Sequence, residues 1–350
     1  MTVPSGKRMT IREIADLAGV SIATVSRVLN GRDDVAADTR EAVRRVIREH
    51  GYTANRHARG LSAGRTGFVG VLVPLVFPAY FAEILAGAAE ALYEQQMRVV
   101  LSPTQHEHAR EVSLLDRLMH GGATDGALIV LPNESSEELE RALDAGYPFV
   151  VVDPLMPLDD RIPSVSAAHM SGADQAMRYL ISLGHRRIGA ITGPPGWVAT
   201  EDRRRGYRAA LAAANIPFDA ALEVEADFEI PDGEAAARGL LGMADRPTAV
   251  FAFNDNIAIG TMRAAREQGL RVPEDLSIVG FDDVEHASIV TPRLTTVRQP
   301  LAEMGRTAVS LLIRLLEQQS VETLSIQLAT RLVIRESTAP APARALAATA

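Results

Sequence analysis

The chain has 350 residues, no cysteine, and 44 acidic against 36 basic residues, for a formal net charge of −8. The lack of cysteine excludes disulfides and thiolate metal sites, and 47% hydrophobic residues exclude a wholly disordered chain. No run approaches the ~18 apolar residues of a membrane span, and the opening MTVPSGKRMT lacks the apolar core of a secretory signal, so a cytoplasmic place is expected.

The charge is divided unevenly. Residues 1–66 carry twelve Lys or Arg against seven Asp or Glu, while the remainder carries 24 against 37. A basic head on an acidic body confines attraction for phosphate to the head.

In the head, Thr10 reads as the cap of a first helix with Glu13 as its capping-box partner, and Ile11, Ile14, Ala15 and Leu17 form the apolar stripe. Ala18-Gly19 makes a turn. Ser21 caps a second helix that runs to about Leu29, turns Val25 and Val28 inward and stops at Asn30-Gly31. A third helix over Ala37 to His50 buries Val43, Val46 and Ile47. Three short helices with a tight glycine turn between the first two form the helix-turn-helix pattern. Residues 51–66, GYTANRHARGLSAGRT, are poor in apolar bulk and read as a linker.

From Gly67 the texture changes. GFVGVLVP, RVVLSP, GALIVLP, FVVVD, RIGAIT, TAVFAFN and LSIVGFD alternate with helical segments. Strands this apolar are buried on both faces, and the intervening helices imply parallel pairing. The expected fold is a small all-α head followed by an α/β body of doubly wound parallel sheets, large enough for two subdomains. The tail from Ser337, STAPAPARALAATA, is rich in Ala and Pro, has no leucine heptad and is expected to be disordered.

TIREIADLAGVSIATVSRVLNG, TREAV and GYTANRHARGL closely resemble the head of the LacI/GalR family of transcriptional regulators. LGHRRIGAITG, RRRGYRAAL, FNDNIAIGTMRAAREQGLRVPEDLSIVGFDD and PRLTTVRQP continue the resemblance, in the family's order, to about Glu336. It implies a DNA-binding domain over 9–54, a hinge over 55–66 and an effector-binding, dimerising body over 67–336. The body resembles periplasmic sugar-binding proteins, with subdomains over about 67–162 plus 298–322 and about 163–297 plus 323–336, joined by three crossings.

The second helix is the candidate reader of DNA. Ser21, Thr24 and Ser26 offer short hydroxyls for phosphate, and Arg27 lies where a side chain can reach guanine O6 and N7. Ile22 and Ala23 stand where the family commonly reads bases, and Asn30 closes the helix. The resemblance also implies a hinge helix with Asn55, Arg56, Ala58 and Leu61, in which paired leucines of two subunits wedge into a minor-groove step. The family's usual proline before Asn55 is Ala54 here. A homodimer would present two heads to a pseudo-palindromic operator.

In open α/β sheets ligands bind beyond the carboxyl ends of the strands. Those ends are followed here by Tyr80 and Phe81, Asp153, Trp197 and Arg203, Phe228, Asn254 and Asp255, and Asp282. Aromatic faces with planar hydrogen-bonding groups suit a sugar or a nucleobase. AYFAEI, Phe228, Arg203 and Asp282 resemble the pocket of purine-responsive members, but Trp197 and Ala199 replace the arginine and threonine that read the purine edge. A mono- or oligosaccharide inducer is therefore favoured over a nucleobase. Asn254-Asp255 and Asp282-Asp283 also read as helix caps.

An enzyme is disfavoured, and neither metal nor cofactor is expected. There is no G-x-S-x-G elbow and no phosphate loop, His106-x-His108 reads as a solvated run, and His185 reads as a structural histidine before a strand. A solute-binding protein would share the body but would not carry the basic head.

Overall fold

The computed structural model describes residues 9–29, 32, 34–52, 65–77 and 79–342. It divides into two compact units, residues 1–66 and 67–350.

The first unit holds α1 (Ile11–Ala18), α2 (Ile22–Leu29) and α3 (Ala37–Glu49). α1 starts on the expected capping box: the Thr10 hydroxyl accepts from the Glu13 N–H, and the Glu13 carboxylate accepts from the Thr10 N–H at 2.7 Å. Gly19 ends it at φ 66°, in the left-handed region that favours glycine. Ser21 caps α2 by accepting from the Thr24 N–H at 3.1 Å. Ile14, Ala15, Val25, Val28, Val35, Val43 and Val46 close a small core. Each buried valine contributes about 1.5–3 kcal/mol, which holds eight-residue helices that would be marginal alone. The same burial fixes the rotation of α2 and leaves Ile22, Ala23 and Arg27 outside.

The second unit contains two six-stranded sheets. The first joins β1 (Phe68–Val73), β2 (Arg98–Pro103), β3 (Gly126–Val130), β4 (Phe149–Val152), β5 (Ser164–Ala167) and β11 (Ser325–Leu328) in the order β11-β5-β4-β3-β1-β2, all parallel. The second joins β6 (Ile188–Thr192), β7 (Glu223–Glu225), β8 (Ala249–Ala252), β9 (Ser277–Asp282), β10 (Thr295–Arg298) and β12 (Arg331–Val333) in the order β12-β10-β9-β8-β6-β7. It is parallel except for β12, which runs antiparallel to β10. Helices α4 (Ala79–Glu94), α5 (His108–His120), α6 (Ser136–Asp144) and α12 (Leu301–Leu316) accompany the first sheet. α7 (His169–Ser182), α8 (Val198–Ala213), α9 (Ile230–Leu241), α10 (Asp255–Glu267) and α11 (Glu285–Ile289) accompany the second. No helix among the described residues is long and apolar enough to cross a membrane.

Two expectations are corrected. The expected second subdomain takes in 163–297 and 323–336, but β5 and β11, which fall within those ranges, belong to the first sheet. They pair with each other: the Ser164 N–H donates to the Leu324 carbonyl and the Ala168 N–H to the Leu328 carbonyl, each at 2.8 Å. The chain therefore crosses between the sheets after Ala167, Arg298 and Leu328.

The second correction concerns the tail. Ser337 is fully buried; its carbonyl accepts from the Ile278 N–H, and its hydroxyl donates to the Ile278 carbonyl at 2.6 Å. The Ala339 carbonyl accepts from the Ser277 hydroxyl, and the Ala341 N–H donates to the Leu183 carbonyl. Backbone groups at the start of β9 need partners, and this segment supplies them. Residues 343–350 lie outside the described residues, as do Asn30, Asn55, Arg56, Ala58 and Leu61.

Candidate functional site

The carboxyl ends of the two sheets face one cavity of about 510 Å³. Tyr80, Phe81, Asp153, Trp197, Arg203, Phe228, Asn254, Asp255 and Asp282 all line it. Tyr80 and Phe81 come from the first turn of α4, and Asp153 follows β4. Trp197 stands just before α8, on which Arg203 lies. Phe228 precedes α9, Asn254 and Asp255 open α10, and Asp282 ends β9.

Their roles differ. Trp197 and Phe228 are half-buried and form an aromatic wall, with centroids 5.7 Å apart and rings tilted by 45°. Asn254 caps α10, its Oδ1 accepting from the Ile257 N–H at 2.8 Å while Nδ2 donates to the Phe228 carbonyl. Asp255 is fully buried and accepts from the Thr296 hydroxyl and the Val284 N–H. Burial, with Asp282 next, drives its carboxyl well above the usual range. Asn254 thus frames the cavity while serving the cap that the sequence also allows, whereas Asp255 caps no helix and ties the start of α10 to Thr296 and Val284.

The floor is a continuous polar chain. The Tyr80 hydroxyl donates to Asp153, and His169 Nε2 lies 2.9 Å from the other Asp153 oxygen. Arg203 donates to His169 Nδ1 at 3.2 Å and to the Phe253 carbonyl, and its guanidinium sits 3.6 Å from Asp282 and 3.9 Å above the centre of the Phe281 ring. Gln299 Nε2 donates to Asp282 at 2.7 Å. Burial raises the Asp282 carboxyl to about 7 against the pull of Arg203 and Gln299. For Asp153 burial also acts upward, but His169, Tyr80 and Arg203 outweigh it and hold the carboxyl below its ordinary value. Burial, then Asp153 and Asp282, push the Tyr80 phenol well above its usual value, so it stays a donor. Arg203 Nε is buried without a hydrogen-bond partner among the described residues.

Residues that the sequence did not single out complete the lining. Asp227, Glu229 and Asp232 add carboxylates on the side of the second sheet, and His286 also reaches the cavity. Arg203 is the sole permanent cation among the described lining residues. His106 belongs to the lining, whereas His108 pairs with Glu138 at 3.2 Å. His185 is structural: its ring contacts Thr248, Ser277 and the Ala339 carbonyl. No group of three or more His, Asp or Glu among the described residues is arranged to hold a metal.

In the first unit, Ser21, Ile22, Ala23 and Arg27 are exposed on α2, and Thr24 and Ser26 are half-buried. Arg27 Nε lies 3.6 Å from Asp34 with both side chains mostly in solvent. The Ser21 and Thr24 hydroxyls are 2.9 Å apart.

The profile of bacterial regulatory proteins of the lacI family matches residues 10–55, and that of the periplasmic binding protein-like domain matches residues 177–338. The HTH-type transcriptional regulator CelR of Thermobifida fusca is 39% identical over 95% of this chain and 98% of its own length. The chain belongs to the lacI family. A lacI-family chain works by regulating transcription through DNA, not by catalysis. Two solved structures extend the likeness over the whole lacI-family architecture. A Lac repressor dimer bound to operator and the anti-inducer ONPF aligns with TM-score 0.85 at 30% identity, covering 95% of this chain and all of that one. A CelR–cellobiose complex aligns with TM-score 0.73 at 37% identity, covering 94% and 100%.

Proposed function

We propose that this lacI-family regulator is a cytoplasmic homodimeric repressor that releases a pseudo-palindromic operator when an unphosphorylated sugar, first of all a disaccharide, fills the cleft. The observation that carries this reading is the lining itself. The Trp197–Phe228 wall offers ring faces to the C–H side of a pyranose, beside carboxyl, phenol and guanidinium groups that match its hydroxyls. Arg203 Nε is a buried donor left over for such a hydroxyl. A phosphorylated sugar would meet Asp227, Glu229 and Asp232, while Arg203, the sole permanent cation among the described lining residues, already faces Asp282 at 3.6 Å. The relative solved with cellobiose favours a disaccharide. Trp197 and Ala199, where purine readers carry arginine and threonine, weigh against a nucleobase.

On α2, Ser21, Thr24 and Ser26 would position on phosphates, while Arg27, with Ile22 and Ala23, would read base edges. Asn30, Asn55, Arg56, Ala58 and Leu61 would complete the contacts. Ligand binding between two sheets shifts the balance of their relative arrangements, and in such systems the coupling is about 1–3 kcal/mol, or 5–150-fold in operator affinity.

Trp197 is the single tryptophan of the chain, so its fluorescence reports on the cleft. Titration with cellobiose, glucose and glucose 6-phosphate, alongside gel shifts on the operator, tests the reading. A saturable change with a neutral sugar, with release of DNA, is expected. A response to guanine or hypoxanthine and to no sugar would overturn it.

A further inference from the structure

Among the described residues, the hydrogen-bonded floor of the cleft passes from one sheet to the other at one residue. Tyr80 and Asp153 stand on the side of the first sheet, and Arg203 and Asp282 on the side of the second. His169 joins them. It is the first residue of α7, just beyond the first crossing of the chain, and it is 1% exposed.

Its two nitrogens have different partners, and chemistry fixes which does what. Arginine can only donate, so His169 Nδ1 must accept from Arg203. The ring proton is then on Nε2, which donates to Asp153 at 2.9 Å. The Asp153 oxygen that His169 leaves unused accepts from Tyr80. The ring is held on a further side by Phe281, whose centroid lies 5.9 Å away and which also lies under Arg203. An imidazole here is thus a one-donor, one-acceptor bridge between a carboxylate of one wall and a guanidinium of the other.

We propose that His169 is a positioning residue that makes the two walls of the cleft respond as one. A ligand atom that displaces Asp153 moves the acceptor of Nε2–H, and one that displaces Arg203 moves the donor to Nδ1. The displacement reaches the opposite wall through a rigid five-membered ring. This role rests on the reading of the cleft as the effector site, but the bridge itself is testable without any effector.

The experiment uses full-length protein. Asp153→Asn and Arg203→Lys are made singly and together, in the wild-type background and with His169→Leu, and thermal unfolding is measured. If His169 links the two groups, their effects are non-additive in wild type, and the non-additivity shrinks in the His169→Leu background to what the direct attraction of Arg203 for Asp153 supplies. His169→Gln, whose amide can both donate and accept, keeps the non-additivity. Should the leucine variant fail to fold, His169→Asn, with an amide too short to reach both partners, takes its place. A second arm compares operator affinity with and without saturating cellobiose. The ratio falls towards one in His169→Leu by a larger factor than the half-saturating concentration read from Trp197 fluorescence rises, and His169→Gln restores it. Additivity in wild type, or non-additivity that persists undiminished without the imidazole, overturns the proposal. A wild type unresponsive to cellobiose overturns the disaccharide reading instead, while the unfolding cycle still decides the bridge.

Discussion

The Phe228 ring occupies the space a side chain at residue 193 would need: a Cβ on Gly193 would overlap Phe228 Cζ. The aromatic wall of the cleft is therefore seated against bare backbone at the end of β6. Gly193→Ala should displace the Phe228 ring and disturb its contact with Trp197. Losing about 0.5–1.5 kcal/mol of aromatic contact corresponds to a roughly 2- to 12-fold weaker sugar affinity by calorimetry. Operator affinity without sugar should not change, and a change there would count against a role confined to the cleft.

Arg27 is expected to carry base recognition. Its ion pair with Asp34 is solvent-exposed, and such pairs are worth about 0–1 kcal/mol, so the guanidinium is cheaply redirected to DNA. Arg27→Ala should weaken operator binding by about 1–3 kcal/mol and leave the melting temperature unchanged. Anisotropy titrations on operator and scrambled duplexes at matched salt check this, because a phosphate contact would weaken both duplexes alike.

Glu134 gives the fold a pH dependence of defined sign. It is 1% exposed, beside the buried Glu111, whose carboxylate accepts from the Asn133 N–H at 3.1 Å. Burial, then Glu111, raise its carboxyl from 4.5 to about 9. Between those values the folded protein keeps a proton that the unfolded chain has lost, so stability falls as pH rises through the window. Glu134→Gln should flatten the fall of melting temperature between pH 5 and 9 and raise it at pH 9. Asp282, Asp255 and Glu111 shift in the same direction, so part of the slope should remain.

Truncation should separate the docked part of the tail from the residues beyond Pro342. Ending the chain after Glu336 strips the partners of the Ile278 N–H and the Thr295 N–H, at about 1–3 kcal/mol for each buried group left unsatisfied, and removes one of the contacts of His185. At about 2–4 °C per kcal/mol, calorimetry should show a loss on the order of 10 °C. Ending after Pro342 keeps each of these partners, so the melting temperature should change by less than about 1 °C.

How strands are buried decides how much of the fold is legible in the chain. β1, β3, β4, β6, β8 and β9 are covered on both faces, so their apolar runs announce them, and the residues after them converge on the cavity. β5 (SVSA) and β11 (SIQL) alternate polar and apolar residues at the margin of the first sheet and carry no such run. Without a visible β5, nothing marks His169 as a residue near a strand's carboxyl end, although the same rule applies to it. Asp227 and Glu229 look like surface acids beside Phe228. The docking of Ser337 depends on Ile278 and Thr295, partners that local composition cannot reveal.

The pairing of β5 with β11 also sets an order of events during synthesis. Ser164 and Ser325 face each other across these strands, yet they lie 161 residues apart in the chain. A ribosome adding about 5–20 residues per second needs roughly 8–32 s to supply the missing strand, during which the edge of β5 stands open to other chains. The head, a separate compact unit within the first 66 residues, has emerged long before. Every nascent regulator thus passes through a stage in which it owns a DNA-reading unit and no finished sensor, and a product released at that stage would be a DNA binder that no ligand could dismiss.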